Sequence, residues 1–131
     1  MKTQKIFFLI ATIGGALAVL AGAFGAHGLK PKLLPDQLAA YETGVRYHFI
    51  HTIVLLIVAI AMPRISNAFS LYAGWCLVAG ILLFSGSLYL LACKSILHIE
   101  HWRWLGPITP LGGLLLIVGW LLLAIGFWNY K

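Results

Sequence analysis

Glu42-Thr-Gly-Val-Arg-Tyr-His-Phe-Ile-His-Thr52 is a polar run that leads directly into the apolar stretch Ile53 to Met62, which Pro63-Arg64 closes. That stretch is too short to cross a bilayer alone, since a spanning helix needs about 20 residues. Counting back from Met62 puts the start of the helix near Thr43, so Arg46, Tyr47, His48 and His51 belong to the membrane helix itself. Ionisable groups at that depth are costly unless they are paired or wetted, and by default they mark a functional site.

Composition sets the class. Hydrophobic residues make up 62% of the 131 residues and charged residues 9%, with a mean hydropathy of +0.99, whereas a soluble domain is nearer a quarter charged. The chain reads as an all-α integral membrane protein forming a single transmembrane domain, with no room for a separate soluble module. Its net charge of +6 does not indicate nucleic acid, because the basic residues stand singly at the ends of apolar segments and form no stripe. They read as anchors at the membrane edge.

Four segments have spanning length, at about residues 6–26, 43–62, 69–92 and 110–128. Lys2 and Lys5 before the first, with Ala21-Gly22-Ala23 near its end, resemble a secretory signal, but the apolar stretch is longer than a signal core and is expected to stay as a helix. Between the first two segments, Asp36 is a candidate cap for a short amphipathic extension running from Gln37 into the second helix, with Leu38, Tyr41 and Val45 on its apolar face. Thr109-Pro110 is read as the N-cap and first position of the fourth helix.

Helix packing is legible in the small residues. Gly14, Ala18, Gly22 and Ala26 recur at four-residue spacing on the first helix, and Gly112, Gly119 and Gly126 at seven-residue spacing on the fourth. Such ridges let helix backbones approach closely in lipid, within one chain or between copies. One ridge serving inside the chain and one between subunits would make a homo-oligomer.

Four crossings put Lys2, Lys5, Arg64 and Lys131 at one end of the bundle, with no acid among them. The other end receives His27, Asp36, Glu42, the Arg46 region, Lys94, His98, Glu100, His101, Arg103 and Thr109, and Ser85 and Tyr89 on the third helix reach toward it. On the second helix Glu42 and Arg46 are spaced as an ion pair, and Thr43, Tyr47 and His51 form the next ridge. An interfacial salt bridge and an aromatic-belt tyrosine would account for Glu42, Arg46 and Tyr47 without a site. His48 falls further round, toward headgroups. His51, roughly 12 Å below Thr43 at 1.5 Å per residue, is too deep to reach them, and Tyr89, Ser85 or His27 is expected to complete its pairing.

The pairs His48/His51 and His98/His101 have a spacing that can share a metal, but two ligands of four are a weak signal, and neither pair has the spacing of a zinc protease. No metal, haem or other cofactor is expected. Cys76 and Cys93 lie about 25 Å apart on one helix at 1.5 Å per residue and cannot form a disulfide with each other.

Gly22-Ala-Phe-Gly-Ala-His-Gly28, Tyr41-Glu-Thr-Gly-Val-Arg-Tyr47 with His51, Phe84-Ser-Gly-Ser-Leu-Tyr-Leu90, and Ile108-Thr-Pro-Leu-Gly-Gly113 with Gly119-Trp120 together resemble the small membrane family of unknown function numbered 423. That family takes in YwdK-like and YgdD-like bacterial proteins and the animal transmembrane protein 256-like proteins. The resemblance implies four helices in a bacterial plasma membrane, and no assigned activity. Its motifs point to His27, Glu42, Thr43, Arg46, Tyr47, His51, Ser85, Ser87, Tyr89, Thr109 and Pro110. His48, His98 and His101 lie outside them.

Three function classes follow. The first is a polar cluster at one end of the bundle that binds or passes a small molecule, an ion or a lipid headgroup, through the residues from His27 to Thr109 just named. The second is an accessory membrane protein that oligomerises or docks a partner. A membrane-embedded enzyme is third: an imidazole near Tyr47, Tyr89 and Glu42 suits acid–base work, but no residue is marked as a nucleophile. Setting Arg46 aside, the positive charges Lys2, Lys5, Arg64 and Lys131 balance Lys30, Lys32, Lys94 and Arg103, so the positive-inside rule is neutral. The acid-free end is read as cytoplasmic, with the N- and C-termini inside.

Overall fold

Pro35 suits the first position of a helix, where its missing N–H is no loss and its fixed φ is already helical. In the computed structural model, which describes residues 2–65 and 68–129, a helix does start at Pro35 and runs unbroken to Ala61. This start precedes the one expected near Thr43, and Leu34 stands at the cap in place of Asp36. The Leu34 backbone N–H donates to the Gln37 side-chain oxygen at 3.1 Å, while Asp36 lies in the first turn, where its charge suits the helix dipole. The amphipathic extension and the second span are therefore one helix.

The helices are α1 (Lys2–Phe24), carried on by one π turn (Gly25–Leu29), α2 (Pro35–Ala61), α3 (Ala68–Ala92) and α4 (Leu105–Trp128). Each is long and apolar enough to cross a membrane. The fourth starts at Leu105, so Thr109 is not its cap and Pro110 is inside the helix. Pro107 falls among the first N–H groups, which have no intrahelical partner, whereas Pro110, six residues into the helix, gives up the bond to the Gly106 carbonyl and crowds that carbonyl with its ring. Lys131, expected beside Lys2, Lys5 and Arg64, lies outside the described residues, as do Ser66 and Asn67 of the second loop.

The helices pack in chain order, α1 on α2, α2 on α3 and α3 on α4, while α1 and α4 share no extensive face. Phe7, Leu55 and Leu77 are fully buried at the centre of the main core, with Leu116 and Leu123 from α4 beside them. Elsewhere large apolar side chains face outward, Leu20 at 65% and Leu82 at 68% exposure, as a lipid-facing surface requires.

Glycine sets the closest approaches. A Cβ on Gly112 would collide with the Phe84 backbone, one on Gly80 would stand 2.5 Å from Leu116 Cδ2, and one on Gly119 would stand 3.2 Å from Leu77 Cδ2. Gly112 and Gly119 of the α4 seam thus pack on α3 of the same chain. On α1, Gly14 meets Thr52 and Gly22 meets Val45, with Ala18 buried between them and Ala26 exposed beyond. Gly14, Ala18 and Gly22 of α1 and Gly112 and Gly119 of α4 are thus used inside the chain.

The zigzag order leaves two open grooves. One runs between α1 and α3 with α2 as its floor and encloses about 450 Å³. The other, about 320 Å³, lies between α2 and α4 near the Arg64 end and is lined almost wholly by aliphatic and aromatic side chains, among them Trp120 and Phe127.

Candidate functional site

Residues 48, 51 and 52 sit near the middle of α2: His48 meets Tyr89 of α3, His51 meets Trp120 of α4, and Thr52 bonds back to carbonyls of its own helix. His51 is buried at 6% exposure, roughly 24 Å along the axis from Pro35 at 1.5 Å per residue. Trp120 on α4 donates its indole N–H to His51 Nε2 at 3.2 Å. An indole nitrogen can only donate, so Nε2 is the bare nitrogen, and Nδ1 carries the proton that is donated to the Tyr47 carbonyl at 2.7 Å. Both ring nitrogens are satisfied within the protein. The partners expected from α3 and α1, namely Tyr89, Ser85 and His27, are replaced by an α4 residue and by the carbonyl one turn back. Tyr47 stacks on the imidazole with centroids 5.6 Å apart and packs against Phe84 at 4.6 Å.

His48 points to another helix. It is half-buried, and its Nδ1 lies 3.1 Å from the Tyr89 hydroxyl on α3. Its Nε2 stands 3.7 Å from where a Cβ on Gly14 would be, on the α1 side, and no described hydrogen bond engages it. His48, expected to turn toward headgroups, instead faces α3, where Tyr89 pairs with it. His48 and His51 diverge toward α3 and α4, and among the described residues no group of three His, Cys, Asp or Glu gathers to hold a metal.

Ser85 completes this cluster. It is 1% exposed, and its Oγ has no hydrogen-bond partner. Hydroxyls in helices usually return their proton to a carbonyl one turn back, as Thr12, Thr43, Thr52 and Ser87 do here. Ser85, His48, Thr52 and Tyr89 all line the 450 Å³ groove between α1 and α3. Its remaining walls are Ile10, Ile13, Gly14 and Leu17 of α1 and Val78, Ile81, Leu82 and Gly86 of α3. Mostly apolar walls with a few converging polar groups are the make-up of a small-molecule site.

The other residues named from the sequence go elsewhere. Ser87 donates to the Phe84 carbonyl at 3.0 Å, so Thr109 is the donor in the 2.6 Å contact between the two hydroxyls, and the pair clamps α3 to α4 outside the groove. Thr43 bonds to the Ala39 carbonyl on its own helix. Glu42 and Arg46 are exposed beside a small recess of about 170 Å³ formed with Gly22, Gly25 and Tyr41, and among the described residues they form no ion pair. His27 is exposed on the π turn. Tyr41, read in the sequence as part of an apolar face, donates its hydroxyl to the Ala21 carbonyl at 2.9 Å and packs on Tyr89 with centroids 5.0 Å apart. Just past α3, burial pushes the Cys93 thiol up from its ordinary pKa, away from thiolate chemistry.

Sequence reasoning set His48 aside and did not mark Thr52 or Trp120 as site residues. A histidine at mid-span was the available signal for His48. Nothing local marks Trp120 as the partner of a residue 69 positions away.

The chain matches, over residues 21–113, the family model described as "Protein of unknown function (DUF423)". It is 42% identical to the UPF0382 membrane protein YwdK of Bacillus subtilis, with 97% of this chain and 99% of the relative covered. It is 43% identical to the UPF0382 membrane protein SSP2132 of Staphylococcus saprophyticus, covering 94% of this chain and 97% of the relative. To the UPF0382 inner membrane protein YgdD of Escherichia coli it is 34% identical, covering 95% of this chain and 90% of the relative. No solved structure matches the chain.

Proposed function

Since the chain belongs to the DUF423 family, a family of unknown function whose members include multi-pass proteins of the bacterial inner membrane, we propose its role from the groove itself: it binds a small lipid-soluble molecule between α1 and α3. The observation that carries this reading is Ser85, a buried hydroxyl with no partner in a groove that also receives His48, Thr52 and Tyr89. A buried unpaired polar group costs stability, so a site that keeps one is built for something that pairs with it. An ion is the weaker fit, because the walls above and below these groups are aliphatic and offer no second coordination shell. The open flank of the groove faces lipid, which gives a membrane-dissolved molecule a lateral way in.

Native mass spectrometry of the protein released from gentle detergent tests the reading. A bound small molecule should survive on the wild type and be lost from Gly86→Leu. Gly86 borders the groove and a Cβ there meets nothing within 4 Å, so the substitution adds bulk at the groove wall without a clash at its first carbon. Bare protein in both samples, or the same adducts on both, would remove the basis for the proposal.

A further inference from the structure

The groove has a polar part and an apolar part, and their order along the membrane constrains the ligand. Both α1 and α3 run toward the end that carries His27 and Lys94, so Leu17 and Tyr89 stand at the upper mouth of the groove and Ile10 and Val78 at its lower end. From Val78 to Tyr89 the groove is roughly 16 Å long at 1.5 Å per residue. Ser85 lies in its upper half, and roughly 10 Å of wall below it on α3, counted in the same way, is apolar apart from the backbone.

No lysine, arginine, aspartate or glutamate lines this groove. Arg46 and Glu42, the nearest such groups in sequence, open onto the separate recess beside Gly22 and Tyr41. A charged headgroup at the level of Ser85 would therefore sit in a low-dielectric region without a counterion, which is strongly unfavourable. Of the polar groups present, Thr52 spends its proton on the His48 and Phe49 carbonyls, and Tyr89 is paired with His48 Nδ1. The Ser85 hydroxyl, covered in this rotamer and brought to the groove by rotation about χ1, and His48 Nε2 are the groups left without a partner at the groove wall.

We propose that the occupant is an uncharged single-chain lipid whose head is an oxygen function of the alcohol or ketone class, accepting a hydrogen bond from Ser85 beside His48 while its chain lies along Ile13, Val78 and Ile81. This rests on the groove reading above and narrows it to one chemistry.

Three diazirine-tagged probes of equal chain length, a hexadecanol, a palmitic acid and a hexadecane, would be photolysed with the full chain in phosphatidylcholine nanodiscs, and the labelled residues read by mass spectrometry. The expected result is labelling of groove residues by the alcohol about fivefold to tenfold above the alkane, the factor that one buried hydrogen bond supplies, with the palmitate no better than the alkane. Ser85→Ala should bring the alcohol down to the alkane level, and Gly86→Leu should lower it while leaving Ser85 in place. Palmitate labelling the groove as well as the alcohol, with no effect of Ser85→Ala, would overturn the uncharged head and leave the groove reading intact. If no probe labels the groove above the lipid-facing Leu20 on α1, the groove reading falls and this inference with it.

Discussion

The indole N–H of Trp120 reaches His51 Nε2 at 3.2 Å across the gap between α2 and α4, and that bond fixes which imidazole nitrogen carries the proton. Trp120→Phe leaves Nε2 buried without a donor and is expected to destabilise the fold by about 1 to 3 kcal/mol. In a double-mutant cycle with His51→Phe the coupling should be about 0.6 kcal/mol, with about 1.7 as its ceiling, the range found for hydrogen bonds between membrane helices. Unfolding in bicelles measures both. A nitrogen NMR signature of an Nε2-protonated His51 in the wild type would contradict the assignment.

Ser85 and Ser87 should respond in opposite ways. The hydroxyl of Ser87 bonds to Phe84 and receives Thr109, so Ser87→Ala should cost about 1 kcal/mol. Ser85→Ala removes an unpaired hydroxyl and should leave the unliganded protein as stable or more stable by up to about 1 kcal/mol. Equal losses from both substitutions would show that Ser85 has a partner in the membrane.

Gly112 and Gly86 form a second contrast. Added bulk at Gly112 strikes the Phe84 backbone, whereas at Gly86 it meets open space. Gly112→Ala should destabilise by about 1 to 3 kcal/mol through overpacking, and Gly86→Ala should stay within about 0.5 kcal/mol of wild type. The same unfolding assay separates them, and a harmless Gly112→Ala would mean that α3 and α4 can part cheaply.

The termini are expected inside the cell, with the His98 to Trp104 loop outside. Single cysteines introduced after Trp128 and at Arg103, in a Cys76→Ala and Cys93→Ala background, should react with an impermeant maleimide on intact cells only at Arg103. Reaction only at the C-terminal site would invert the topology.

Much of the fold was written in hydropathy, because the four apolar segments and their glycine ridges are local patterns. Boundaries were less legible: Pro35 and Pro110 are both compatible with a helix start, and only packing reveals that the first opens a helix while the second lies within one. The candidate site was legible in part. Ser85 and Tyr89 were named and do line the groove, whereas His48 was set aside because its pairing with Tyr89 depends on how α3 is turned, and the pairing of His51 with Trp120 depends on a helix much later in the chain. Residue type and helical phase say that a polar group is buried. They do not say which neighbour it meets.

The chain-order packing of the helices bears on how the protein is made. Helices leave the translocon one after another, and here each broad face belongs to a helix and the one synthesised just before it, so docking can keep pace with insertion. His51 is an exception to that sequence. It enters the membrane with α2 yet receives Trp120 only when α4 arrives, so during biogenesis its imidazole waits with one nitrogen uncapped, and the closing of that bond marks completion of the bundle.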